Sequence, residues 1–161
     1  MDIFKEYKEL KTNVEFKKFL RDNKEYYLVH VLVPEDTQRV EFGFYNDKKD
    51  RIVVFETNPV RKGEEEEVFK EGKTITKLDT DKIKINYEEA MNETKKIMTQ
   101  EFSEEKPKKK IIILQHINEP VWNVTLVCES LNIINIRVNA ETGEITRKNK
   151  TSLLNMTGVA K

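Results

Sequence analysis

The side chains best suited to chemistry are few in this chain. It carries two histidines, His30 and His116, and one cysteine, Cys128. Each histidine stands four residues before a proline, Pro34 or Pro120. If the two halves of the chain fold alike, the histidines approach a common axis, and the chemistry they offer there is a shared metal or a pH-sensitive contact. The simpler reading is two strand histidines, each satisfied by nearby backbone, and that is the expectation. A zinc site draws on several convergent ligands, so no metal is expected. A cysteine nucleophile needs a base and an electropositive, accessible setting. Cys128 instead alternates in register with Trp122, Val124 and Leu126, which predicts a packed thiol and places Trp122 in the core.

The charged runs read as solvated surface. Residues 64–67 are consecutive glutamates but lack the spaced ligands and glycine of a calcium loop. The run Lys106-Pro107-Lys108-Lys109-Lys110 has the charge to touch phosphates. It leads straight into an apolar segment, so it is read as a soluble entry to a strand. Carboxylates are plentiful, and residue type alone leaves general acid–base pairs open. No Gly-x-Ser-x-Gly, Walker loop or dinucleotide fingerprint occurs, and five glycines leave little material for phosphate cradles. The expectation is a non-enzyme with no catalytic residue and no cofactor.

Periodicity predicts the elements that carry these residues. Ile3, Phe4, Tyr7 and Leu10 share one helical face, as do Phe16, Phe19 and Leu20. Thr12 lies three residues before Glu15, the spacing of a capping box, which predicts a break there. Strands are predicted over 26–33, 40–45 and 51–56, the last two forming a hairpin, with a weaker strand over 73–78. Residues 80–85 read as a polar linker. Asn86, three residues before Glu89, predicts a helix N-cap, followed by the stripe Tyr87, Ala90, Met91, Thr94, Ile97 and Met98. A charged connector over 104–110 leads into strands over 110–117, 121–128 and 134–140. A turn at Gly143 and a short strand over 145–147 follow, with Leu153 onward as a short helix or frayed end.

Alternation also separates the faces. Trp122, Val124, Leu126, Cys128, Ile134, Ile136 and Val138 point inward, while Asn123, Thr125, Asn135 and Arg137 point outward. One helix per half cannot cover both faces of a sheet, and antiparallel sheets tolerate one wet face. Tyr45 and Ile133 make that face partly apolar. Tyr45, Ile133, Asn135 and Arg137 are therefore the candidate interaction residues, for the other half, a homodimer mate or a ligand.

Composition bounds the class. The 161 residues carry 29 Lys+Arg against 29 Asp+Glu, so no net basic charge points to nucleic acid. A single cysteine forms no internal disulfide and fits a reducing cytoplasm. Charges begin at Asp2, with no signal-peptide pattern and no apolar run long enough to span a bilayer, so no membrane partner is expected. The partner expected is a protein or peptide, or a second copy through a sheet face. The two halves read alike: Asn13 matches Asn86, and 26–33 matches 110–117. An internal duplication follows as an expectation, with an α+β unit over 1–80 and another over 81–161, or one compact domain made of both.

The second half resembles the PepSY domain over residues 86–146. The likeness is carried by Asn86-Tyr87-Glu88-Glu89-Ala90, Pro120-Val121-Trp122-Asn123-Val124 and Ile136-Arg137-Val138-Asn139-Ala140-Glu141-Thr142-Gly143-Glu144-Ile145. Asn139 stands where the family usually carries an aspartate. The resemblance implies a cystatin-like helix packed on an antiparallel sheet, a non-catalytic module, and in some members inhibition of a peptidase. Two alternatives stand beside it. One is a small-ligand binder or enzyme working in a cleft between the halves with scattered carboxylates and His30 or His116. The other is a homo-oligomeric structural protein.

Overall fold

Two short helices open the chain, α1 (Ile3–Thr12) and α2 (Val14–Asp22), with Asn13 alone between them. The break falls where predicted, but its agent is different. Asn13 is extended, and its side-chain oxygen accepts from Phe16 N at 3.0 Å. The Thr12 hydroxyl turns back to donate to Glu9 O at 2.8 Å. Asn13 is therefore the cap of α2, because its amide oxygen satisfies a first-turn N–H that otherwise lacks a partner.

The computed structural model describes residues 1–35, 39–68 and 74–156. After α2 come β1 (Tyr27–Val33), β2 (Glu41–Asn46), β3 (Arg51–Glu56), β4 (Arg61–Lys62) and β5 (Glu66–Glu67). A 3-10 turn at Thr80–Lys82 leads to α3 (Tyr87–Glu101), then to β6 (Pro107–Ile117), β7 (Glu119–Cys128), β8 (Asn132–Asn139), β9 (Ile145–Ser152) and α4 (Leu153–Met156). The strands form one nine-stranded sheet in the order β4-β3-β2-β1-β6-β7-β8-β9, with β5 also on β3. Every pairing is antiparallel. The chain is thus α+β. Its seam is the β1–β6 pair, where Val31 lies opposite Leu114 and His30 opposite Gln115.

The helices lie on one face of this sheet. Phe16 packs on Phe44 and edge-on to Phe55, Tyr7 stacks on Phe42, and Phe19 meets Tyr26 and Phe55, all at ring separations of 5.1–5.2 Å. In the second half, Ala90 and Thr94 of α3 are buried. Trp122 is fully buried, edge-on to Tyr87, and its Nε1 donates to Ile85 O at 2.9 Å. The inward residues of β7 and β8 assigned from alternation, Cys128 included, are all buried. They join the phenylalanines in one hydrophobic cluster.

Three boundaries differ from expectation. Lys73 lies outside the described residues, and 74–78 form no strand. Leu78 makes a single bond there, from its N–H to Leu28 O at 2.9 Å. Strand β6 begins at Pro107, so Lys108, Lys109 and Lys110 are strand residues beside β7, the first two exposed and Lys110 partly so. Strand β9 continues to Ser152 although Thr146–Lys150 shows no apolar alternation. Within the sheet it pairs with β8 alone, and from this edge Lys148 reaches Glu101 at 2.6 Å while Lys150 lies 3.6 and 3.8 Å from Glu104 and Glu105. The turn before it has Gly143 at φ +83°, a conformation that side chains with a Cβ disfavour. Asn139 fastens that turn: its oxygen accepts from Glu141 N and Thr142 N at 2.8 and 2.9 Å, and its amide donates to Glu119 Oε2 at 2.7 Å. An aspartate could make the first two bonds but would face Glu119 as a second anion. Among the described residues no helix is long and apolar enough to cross a membrane.

Candidate functional site

The sheet face opposite the helices holds the outward residues of five adjacent strands. On β8 these are Ile133, Asn135 and Arg137, spaced by two so that one face carries all three. Asn135 Nδ2 donates to Asn123 Oδ1 at 2.7 Å, and Asn123 Nδ2 donates to Gln115 Oε1 at 3.0 Å. Amides on β8, β7 and β6 therefore form a chain running across the sheet toward β1. Such a chain fixes each amide's orientation.

His30 meets this chain from β1. It lies opposite Gln115 on one side and Gly43 of β2 on the other. A Cβ at position 43 would overlap the imidazole, with Nδ1 and Nε2 each 2.5 Å away. Glycine is the residue that leaves room for the ring to lie across β2. Burial there pushes the His30 pKa below its ordinary value, so the ring is held neutral.

A hollow of ≈ 860 Å³ opens over these groups. His30, Gln115, Asn123 and Arg137 supply its polar wall, with His116 near the hairpin turn at Asn118. Val29, Ile52 and Ile117 add apolar surface, and Val68 and Ile75 close it from the chain beyond β5. Among the described residues its lining contains no aspartate or glutamate. The two histidines thus line one hollow from neighbouring strands. Among the described residues no group of three His, Cys, Asp or Glu side chains gathers as a metal-binding cluster.

Arg137 is the charged member. It stands opposite Asn123 on β7 and opposite Arg147 on β9. Its Nε is buried without a hydrogen-bond partner. Burial, and then the charge of Arg147, lower its pKa. Neither arginine has an ion-pair partner among the described residues. Like charges directly opposed across an antiparallel pair destabilise it.

The other candidates fare differently. Tyr45 has the outward parity expected, but it is only 1 % exposed, edge-on to Tyr27 with its hydroxyl donating to Asp50. It offers no free surface to a partner. Ile133 is half-buried between Val127 and Thr151, and Asn135 is engaged in the amide chain. Cys128 is buried, and burial with the nearby Glu105 carboxylate pushes its thiol pKa up, away from the thiolate. Alternation found Arg137, whereas Gln115 and Gly43 carried no sequence signal of their own. They matter because β1 lies between β2 and β6, an arrangement no local pattern encodes.

On the helix side a second groove of ≈ 480 Å³ runs between α3 and the start of β6. Met91, Met98, Phe102 and Leu126 line it, and Glu35 and Lys110 stand at its rim.

No family model and no curated protein matches the chain. Among solved structures it is similar to a protein described as a "putative lipoprotein" of Clostridium difficile 630, at 14 % identity and a TM-score of 0.54, over 85 % of this chain and 90 % of that one. The likeness is one of fold.

Proposed function

We propose that the protein is a non-catalytic binding or regulatory module, PepSY-like in its second half, that works through the face of the sheet the helices leave uncovered. The observation that carries this reading is the hollow in which His30, Gln115, His116, Asn123 and Arg137 meet. Five polar side chains from four strands, two of them orienting one another, make a prepared surface with no assigned occupant. The lining offers amide donors, imidazoles and a guanidinium, and the imidazoles of His30 and His116 are the groups through which any turnover there would run. The order of the sheet supports a divergent duplication: β1-β2-β3 and β6-β7-β8 run outward from the seam as two meanders. A cytoplasmic setting is part of the proposal and rests on the unpaired Cys128. Inhibition of a peptidase rests on the family likeness alone.

The test is native mass spectrometry of the full chain after incubation with a small-molecule cell extract, with the released compounds analysed before and after prolonged incubation. A stoichiometric small molecule returned unchanged supports the reading. A compound returned chemically altered, with the change lost in His30→Ala or His116→Ala, sinks it and favours an enzyme in the same hollow.

A further inference from the structure

Arg137 is placed as if a charge were missing beside it. Its Nε is buried without a partner, Arg147 faces it across the β8–β9 pair, and the hollow it lines has no carboxylate among its described residues. Like charges directly opposed across a strand pair destabilise it, and Arg137 is half-buried, with its Nε the atom shut off from solvent. An external anion on the accessible part of the guanidinium would offset the Arg147 charge and supply the negative group the described lining lacks. Around Arg137, Asn123 sits directly across β7, and Gln115 and His30 follow toward the seam. The rest of the lining sets Val29, Ile52, Val68, Ile75 and Ile117 among Thr74, Thr76, His116 and Asn118.

From these placements we infer that the hollow binds a small organic carboxylate: its head held by the Arg137 guanidinium with the neighbouring side-chain amides, its apolar body lying against Ile52, Val68, Ile75 and Ile117. A guanidinium presents a planar fork that matches a carboxylate in two parallel bonds. A phosphate has the same appetite for arginine, but the apolar share of the lining and the single arginine within it suit a monoanion with a hydrocarbon tail. The volume of ≈ 860 Å³ accommodates a compound of ordinary metabolite size. This inference rests on the reading of the uncovered face as a binding surface and names what that surface takes.

The experiment uses the full chain labelled for NMR, observing the arginine Nε–H, the Asn and Gln side-chain amides and the His ring C–H signals. The probes are hexanoate and benzoate, with hexanol and inorganic phosphate as comparisons at one ionic strength. The acids should produce saturable shifts at Arg137, Asn123, Gln115 and His30, and hexanol should not. Arg137→Met should weaken acid binding about tenfold or more, the loss expected for a charge-assisted hydrogen bond. Arg137→Lys should weaken it less. The inference is overturned by no saturable shift with either acid, by equal shifts with hexanol, by tighter binding of phosphate, or by an unchanged affinity in Arg137→Met. If Arg137→Met fails to fold, the wild-type comparison of hexanoate with hexanol decides. Chemical alteration of an acid would sink the non-catalytic reading while leaving acid binding intact, so the two failures are distinguishable.

Discussion

Replacing Arg137 by methionine should make the protein more stable in the absence of ligand. Two costs disappear. The buried, unpartnered Nε carries a desolvation penalty of about 1–3 kcal/mol in a fully buried setting. Arg137 is only half-buried as a residue, so the lower end, about 1 kcal/mol, applies. The opposed Arg147 adds repulsion of about 0.2–1 kcal/mol for a directly facing like-charge pair. Methionine keeps most of the aliphatic stem that covers β7 and β9, so little packing is lost. The net gain is about 1–2 kcal/mol, or roughly 2–6 °C in Tm for a chain of this size. Urea unfolding at low salt and near ~1 M salt separates the parts, because salt screens the repulsion and leaves the desolvation cost. Arg147→Met serves as the internal control, with a gain below about 1 kcal/mol that fades with salt. A loss of stability of about 1 kcal/mol or more in Arg137→Met at both salt concentrations would show that the guanidinium already has a favourable partner, and would remove the argument for a missing anion.

Other outcomes follow from the same packing. Trp122→Phe removes the bond to Ile85 O and opens space in a fully buried site, so urea unfolding should register a loss of about 2–4 kcal/mol. Gly43→Ala should cost about 1–3 kcal/mol through the displaced His30 ring, and Gly43→Ala combined with His30→Ala should recover part of that cost in a double-mutant cycle. His30 has its pKa depressed by burial, so the unfolded chain binds this proton more readily than the folded one. Its contribution to stability is complete above the unfolded pKa of about 6.5, and is lost as pH falls from there through the folded value. The slope of stability against pH in that window should flatten in His30→Gln, and an unchanged slope would contradict the burial of the ring. Asn86→Ala should cost about 0.5–2 kcal/mol by releasing Glu89 N at the start of α3, read as a lower denaturation midpoint.

Where apolar periodicity was strong, the fold was legible from sequence. The alternation of Trp122–Cys128 and of Ile134–Val138 fixed which side faces the core, and the stripe from Tyr87 to Met98 marked α3. Where apolar alternation was weak, sequence was a poor guide. Strand β9 owes its length to pairing with β8, whereas 74–78 form no strand and Leu78 N–H donates to Leu28 O. The site was half legible. Outward parity pointed to Asn135 and Arg137, but it also pointed to Tyr45, which Tyr27 and Asp50 enclose. Parity gives direction and not exposure. The meeting of His30 with Gln115, and the room Gly43 leaves, depend on β1 pairing with both β2 and β6. That is a fact of topology, set by contacts some 85 residues apart in the chain.

The claim that the uncovered face is the working surface is tested most directly by mapping side-chain NMR shifts as the small molecule retained in native mass spectrometry is added to saturation. The account predicts a footprint on His30, Gln115, Asn123 and Arg137, with the helix-side groove around Met91, Met98 and Phe102 unmoved. A footprint in that groove, with the four face residues unchanged, would contradict it.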